Sequence, residues 1–288
     1  MFRKMLVCTD LSPASDALIQ CVGDLKALGM EEAVLTHVIY VANTPGLEEM
    51  LAEEARPVLD RQKKILEAQG IRVTVEMPFG LPAHTLDETA EKHDVSAILI
   101  GSHGKGILQA ATLGSVSAKL LHQTRRPVLL ARIAVLEGEK CHLACGRLFR
   151  KILYATDFSE TAERALEYLG QIATETKSPV TLLHVYEGKH LDEESRKRLT
   201  DGGRFFSDVK VERLKSRGVS EVTVELTFGD PAEEIIARAN REDFSLIVMG
   251  SQGKGFVQET FLGSVSNKVV RHAGVPVLLI PALRQTLR

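Results

Sequence analysis

Two stretches of this chain carry glycine and serine at a spacing suited to holding phosphate. Gly101-x2-Gly104-x9-Gly114-Ser115 recurs as Gly250-x2-Gly253-x9-Gly263-Ser264 without a gap. The first two glycines of each set follow an apolar, strand-like run, where a missing side chain lets backbone approach a ligand and leaves φ > 0 open. The third opens a helical pattern, GSVSAKLL in one copy and GSVSNKVV in the other. A helix N-terminus offers unpaired N–H groups and the positive end of its dipole to an anion. The hydroxyls of Ser115 and Ser117 add donors. The pattern is neither a Walker A loop nor a G-x-G-x-x-G dinucleotide fingerprint. Glycines that only made turns would drift in spacing between copies, whereas a ligand holds it.

A second pair of polar positions ends the first apolar run of each copy: Thr9-Asp10 and Thr156-Asp157. A carboxylate there could hold Mg²⁺ or act as a base, and it could equally cap the helix that follows in DLSPAS and DFSETA. His37 and His184 sit inside apolar runs and read as hydrogen-bonded core histidines. His103 lies between two cradle glycines, but Gln252 takes the equivalent place, so histidine chemistry would serve only one copy. Cys141, His142 and Cys145 invite a metal reading, yet a structural zinc site wants four ligands and no second cysteine pair exists. Cys8 and Cys21 lie in strand-like and helical runs, where buried free thiols are ordinary. No catalytic residue and no protein metal site are assigned.

The elements that must position these residues occur twice. KMLVCTDLSPASDAL at residue 4 returns as KILYATDFSETAERAL at residue 151, LTHVIY at 35 as LLHVYE at 182, and FGLPAHTL at 79 as FGDPAEEI at 228. Two copies of so large a unit mean a tandem duplication and no solenoid. In the first copy, strands are expected at 5–9, 33–40, 71–77, 97–100 and 127–131, with helices at 13–28, 48–69, 82–93 and 113–123. Continuous apolar runs such as AILI and PVLL suit strands covered on both faces. Five strands alternating with four helices imply an α/β fold with a doubly wound parallel sheet in each copy. The expected domains are 1–132 and 150–288, joined by a linker at 133–149. Ligands of such sheets bind beyond the carboxyl ends of the strands, where strand order reverses.

The chain's 288 residues suit two domains of ordinary size. Lys plus Arg number 36 against 38 Asp plus Glu, so no overall basic field points to nucleic acid or anionic membrane. No apolar run is long enough to span a bilayer, and MFRKMLVCTD breaks before a signal-peptide core develops. A cytoplasmic protein is expected. Four cysteines are too few for a disulfide scaffold. The last strands, in RPVLLAR and VPVLLIP, would be apolar sheet edges and are expected to pair with one another, within the chain or between chains.

Over nearly its whole length the chain resembles the universal stress proteins of the tandem, two-domain type. The G-x2-G-x9-G-[ST] pattern marks the ATP-binding members of that family. The resemblance implies a sheet order of 3-2-1-4-5 and an adenine nucleotide (ATP, or ADP or AMP) in each domain, with Mg²⁺ only in company with its phosphates. It places Asp10 and Asp157, after Thr9 and Thr156, beside ribose and adenine, Val38 and Val185 at the base, and Ile100 and Met249 along the adenine side. Gly101, Gly104, Gly114, Ser115, Val116 and Ser117 would wrap one set of phosphates, and Gly250, Gly253, Gly263, Ser264, Val265 and Ser266 the other. The implied role is regulatory, through nucleotide-dependent conformation or partner binding in a stress response, with no protein partner named. A slow ATP hydrolase or phosphoryl-transfer enzyme is one alternative, and a dimerising, chaperone-like protein with AMP or ADP as structural ligand is another. No Walker lysine, kinase loop or recurring base appears beside the cradle, so turnover is expected to be slow or absent.

Overall fold

The computed structural model describes residues 1–41, 46–102, 113–135, 141–143, 148–188, 191–241, 243–254 and 262–282, with the backbone alone given at 21, 133–135 and 141–143. The chain divides into two compact units, Met1–Gly146 and Arg147–Arg288.

In the first unit, β1 (Lys4–Cys8) leads to α1 (Pro13–Gln20), a 3-10 segment (Cys21–Leu28) and β2 (Glu32–Thr36). There follow α2 (Glu48–Ala68), β3 (Arg72–Glu76), α3 (Pro82–Lys92), β4 (Ala97–Gly101), α4 (Ser115–Gln123) and β5 (Val128–Ala131). Parallel pairing gives the order β3-β2-β1-β4-β5, with Met5 of β1 opposite both Ala33 and Ala97. Leu6, Val7, Val34, Leu35, Ile98 and Leu130 are fully buried, as expected of strands covered on both faces. Within the expected linker, β6 (Ile133–Val135) and β7 (Cys141–Leu143) form a short antiparallel hairpin. Cys145, the third member of the metal reading, lies outside the described residues.

The second unit repeats the plan with β8 (Ile152–Ala155), α5 (Glu160–Thr176), β9 (Val180–Tyr186), α6 (Glu193–Ser216) and β10 (Val222–Phe228). It closes with α7 (Pro231–Arg241), β11 (Leu246–Gly250), α8 (Ser264–His272) and β12 (Val277–Ile280). Its order is β10-β9-β8-β11-β12, again parallel throughout. Strand order therefore reverses between β1 and β4 in one unit and between β8 and β11 in the other.

Two expectations need correction. The helix expected over 13–28 is α-helical only to Gln20, where the Gln69 side-chain amide donates to the carbonyls of Ile19 (3.2 Å) and Gln20 (3.4 Å). Those carbonyls are drawn off the α-helical ladder, and the chain winds on as 3-10 to Gly29, whose φ is +78°. The strand expected to reach Tyr40 stops at Thr36, with Ile39 and Phe79 forming only an isolated bridge beyond it. Pro78 is the cause, because it brings no N–H to the ladder. Thr227 stands at its place in the second copy, and there β9 and β10 pair through to Tyr186 and Phe228.

Candidate nucleotide-binding sites at the strand-order reversals

The turn after each central strand is built the same way in both units. Thr9 Oγ1 accepts the N–H of Leu11, and Thr156 Oγ1 that of Phe158, both at 3.1 Å. Asp10 Oδ1 accepts the N–H of Ser12 (3.1 Å), and Asp157 Oδ1 that of Ser159 (3.0 Å). Ser12 and Ser159 then accept from the N–H of Ser15 and Ala162 as the next helix begins. The aspartates thus fix the residue that caps and are not the caps themselves. Leu11 and Phe158 are forced to φ of +64° and +62°. This conformation is costly for a large side chain, and its presence in both copies marks a turn held for a purpose.

His37, just past the end of β2, and His184 on β9 each lock onto this turn. His37 Nδ1 lies 3.0 Å from the Thr9 carbonyl and His184 Nδ1 2.7 Å from that of Thr156, so Nδ1 carries the proton. Burial holds the His184 imidazole below its ordinary pKa, with the Thr156 bond acting in the other direction.

Across the reversal, Gly101 and Gly250 end their strands, and Gly114 and Gly263 precede their helices. Gly114 N–H donates to the Ser102 carbonyl (2.8 Å) and Gly263 N–H to that of Ser251 (2.7 Å). Among the described residues no side chain caps α4 or α8, so the N–H groups of 115–117 and 264–266 have there neither an intrahelical acceptor nor a cap. Ser115 and Ser264 are exposed at these helix starts. Ser117 and Ser266 serve differently from the donor role expected of Ser117, because their hydroxyls bond to the Gly101 (2.8 Å) and Gly250 (2.9 Å) carbonyls and tie helix to strand. The Ser251 hydroxyl is buried without a partner among the described residues.

Gly250 and Gly253 are needed for closeness and not for positive φ. None of Gly101, Gly114, Gly250, Gly253 and Gly263 has a φ in the left-handed region. A Cβ on Gly250 would sit 2.8 Å from Thr161 Cγ2, and one on Gly253 2.6 Å from Asp157 Oδ2. That carboxylate oxygen also accepts the Lys254 N–H at 2.8 Å, bringing the glycine stretch onto the Thr156-Asp157 turn. Gly104 and His103 lie outside the described residues.

In the first unit these parts frame a cleft of about 250 Å³. Thr9, Asp10, Val38, Ile100, Gly101, Gly114, Ser115, Val116 and Ser117 all line it. So do Cys8, Ser15, His37, Pro82 and Leu86, which sequence reasoning did not assign to the site. The proline had a signal, since FG-x-P occurs in both copies; Leu86, one turn further along α3, had none. Cys8 is a buried free thiol whose pKa burial pushes up.

In the second unit Thr156 and Asp157 follow β8, Val185 lies on β9, Met249 and Gly250 end β11, and Gly263 to Ser266 begin α8. Here the turn residue is aromatic. Phe158 packs on His184 with ring centroids 4.3 Å apart and on Phe206 at 5.6 Å, and Lys254 Nζ lies 5.6 Å from its centroid.

Fold and site together define a tandem, doubly wound α/β protein with anion-ready helix starts at both strand-order reversals. The family model for the universal stress protein family matches residues 1–132 and 148–281, and the chain belongs to that family. It is 26% identical over 304 residues to a universal stress protein of Mycolicibacterium smegmatis, covering 96% of each chain. A universal stress protein of Methanocaldococcus jannaschii is 30% identical over 155 residues, covering 46% of this chain and 95% of its own. The crystal structure of a universal stress protein from Archaeoglobus fulgidus superposes with a TM-score of 0.74 at 30% identity, covering 97% of this chain and 98% of the other.

Proposed function

We propose that each unit binds one adenine nucleotide and that the protein acts as a nucleotide-responsive regulator of the stress response rather than as an enzyme. The observation that carries this reading is the pair of uncapped helix starts, α4 and α8, each facing a strand-end glycine and an aspartate turn. The N–H groups of 115–117 and 264–266 would receive phosphate oxygens. Asp10 and Asp157 would accept from ribose hydroxyls. Val38, Ile100, Pro82 and Leu86 would enclose the base in the first unit, with Val185 and Met249 corresponding in the second. Mg²⁺ would be held through the phosphates.

The cleft's about 250 Å³ falls just under the roughly 300–1,000 Å³ of ordinary ligand pockets, which suits a nucleotide with part of its phosphate tail outside. The Ser15 hydroxyl that donates to Asp10 Oδ1 at 2.6 Å has Ala162 in its place in the second copy, which supports binding over turnover. Self-association through β5 and β12 belongs to the same proposal, since each ends its unit's strand order and is fully apolar. Titration calorimetry of nucleotide-free protein with ATP tests the reading. Two sites per chain are expected, with hydrolysis far below the usual enzymatic range of about 1–10³ s⁻¹. Absence of binding, or turnover at several per second, would overturn it.

A further inference from the structure

The middle of α6 leaves large apolar side chains exposed to solvent, although one of them, Phe206, also packs on Phe158. Leu199, Phe205, Phe206 and Val209 are 39%, 67%, 54% and 56% exposed. Leu199, Gly202, Phe206 and Val209 follow each other at i, i+3, i+7 and i+10, the spacing of one continuous stripe along a helix. A Cβ on Gly202 would meet nothing within 4 Å, so the stripe has a notch open to a close neighbour. Two phenylalanines and a valine left in water on one helix are an interaction site or a liability.

The two edges of the stripe differ in charge. On the edge facing the unit, Lys210 and Arg213 are already paired with Glu163, and Arg213 also with Glu167. On the solvent edge Asp201, Asp208 and Glu212 fall in one row at i, i+7 and i+11. None of the three has an ion pair among the described residues. Lys197 and Arg204 stand further round the helix, beyond that row.

We propose that this face is a docking surface for a basic amphipathic helix of a partner protein. The apolar side of that helix would cover Leu199, Phe205, Phe206 and Val209 and enter the Gly202 notch, with its lysines or arginines along the acidic row. A second copy of this chain fits less well. In a two-fold pair the patch meets itself, and two acidic rows would be laid side by side. An anionic membrane is disfavoured by the same charges. Because Phe206 also touches Phe158 at the second proposed site, the test varies Phe205 and Val209 instead and contains no nucleotide.

The probe is a fluorescent synthetic helix with leucine at i, i+3, i+7 and i+10 and lysine along one flank, titrated with the full chain by anisotropy. A twin peptide carries glutamate at the lysine positions. The lysine peptide should bind saturably and more tightly than its twin. Phe205→Ser and Val209→Ser should each weaken it by about tenfold with melting unchanged, since both side chains are exposed. The triple change Asp201→Lys, Asp208→Lys, Glu212→Lys should reverse the preference. Equal affinity for the two peptides, or no saturable binding of either, overturns the proposal. So does a dimer abolished by Val209→Ser, which would give the face to a second copy, or binding to phosphatidylserine vesicles lost on that change.

Discussion

Asp157 uses its two carboxylate oxygens for two different parts of the chain, one closing the turn with Ser159 and the other holding the Lys254 N–H. Gly253→Ala would drive its new methyl into the second oxygen, which can yield only by giving up that bond. The expected loss is about 1 kcal/mol, the usual worth of one such hydrogen bond, and it should nearly vanish in an Asp157→Ala background. Gly250→Ala should cost more, about 2 kcal/mol, because besides Thr161 Cγ2 its methyl meets the Thr161 backbone carbon at 3.1 Å. Thr161→Ala can relieve only the side-chain part; denaturant melts of the single and double variants measure both cycles. His184 gives a pH dependence of known sign. Burial favours its neutral form in the folded state, so the folded pKa lies below the ordinary histidine value of about 6.5. The unfolded chain therefore takes up the proton first on acidification. This contribution is complete above about pH 6.5 and is lost as pH falls from there through the folded pKa. A titration of His184 followed by NMR should show a midpoint below 6.5, and His184→Gln should flatten the stability curve in that window. A midpoint at or above 6.5 would refute the assignment.

Helix α6 contains adjacent glycines with opposite surroundings. Replacing a mid-helix glycine by alanine ordinarily gains up to about 1 kcal/mol of helix propensity. Gly202→Ala should follow that rule, since its methyl would point into open space. Gly203→Ala should break it, because the methyl would overlap the Tyr186 hydroxyl, which donates to the Leu199 carbonyl at 2.6 Å. Thermal melts should move in opposite directions for the two, and Tyr186→Phe should relieve part of the second loss. No pattern in TDGGRFF distinguishes the two positions, because the difference lies in a tyrosine on another element. What could be read from the sequence was whatever the repeat or the apolar periodicity encodes locally, the alternation of helix and strand and the two glycine sets; the strand order came only with the family resemblance. What could not be read depended on partners distant in sequence. Gln69 ends the α-helical part of α1 from fifty residues away, and the left-handed turns at Leu11 and Phe158 use residue types that do not announce them. The serines of the glycine sets were recognised as part of the site, but only the structure separates exposed Ser115 and Ser264 from Ser117 and Ser266, which bind the strand ends.

Duplication lets each copy serve as the control for the other, and Gly114 and Gly263 are the positions at which the two proposed sites can be closed one at a time. Both stand at the N-cap, with φ of −57° and −70°, a conformation open to any residue. At Gly263 a Cβ comes no closer than 3.4 Å to its neighbours, an ordinary contact, so Gly263→Ala should be tolerated. Aspartate is among the preferred N-cap residues and should bond to the N–H groups that are uncapped in the parent chain, raising stability by a few tenths of a kcal/mol. The same carboxylate would fill the place proposed for phosphate. It would oppose the nucleotide by roughly 4 kcal/mol for unit charges 4 Å apart at an effective dielectric of 20. Stability and binding should therefore move in opposite directions, a signature that general damage to the fold cannot produce. Calorimetry with ATP should give a stoichiometry of two for the parent chain and one for either Gly114→Asp or Gly263→Asp. The double variant should bind none, with each melting temperature equal to or above the parent's in the absence of nucleotide. A parent stoichiometry of one, abolished by Gly114→Asp and untouched by Gly263→Asp, would mean that the second unit keeps the glycine spacing without the ligand, its turn being occupied by the Phe158, His184 and Phe206 cluster.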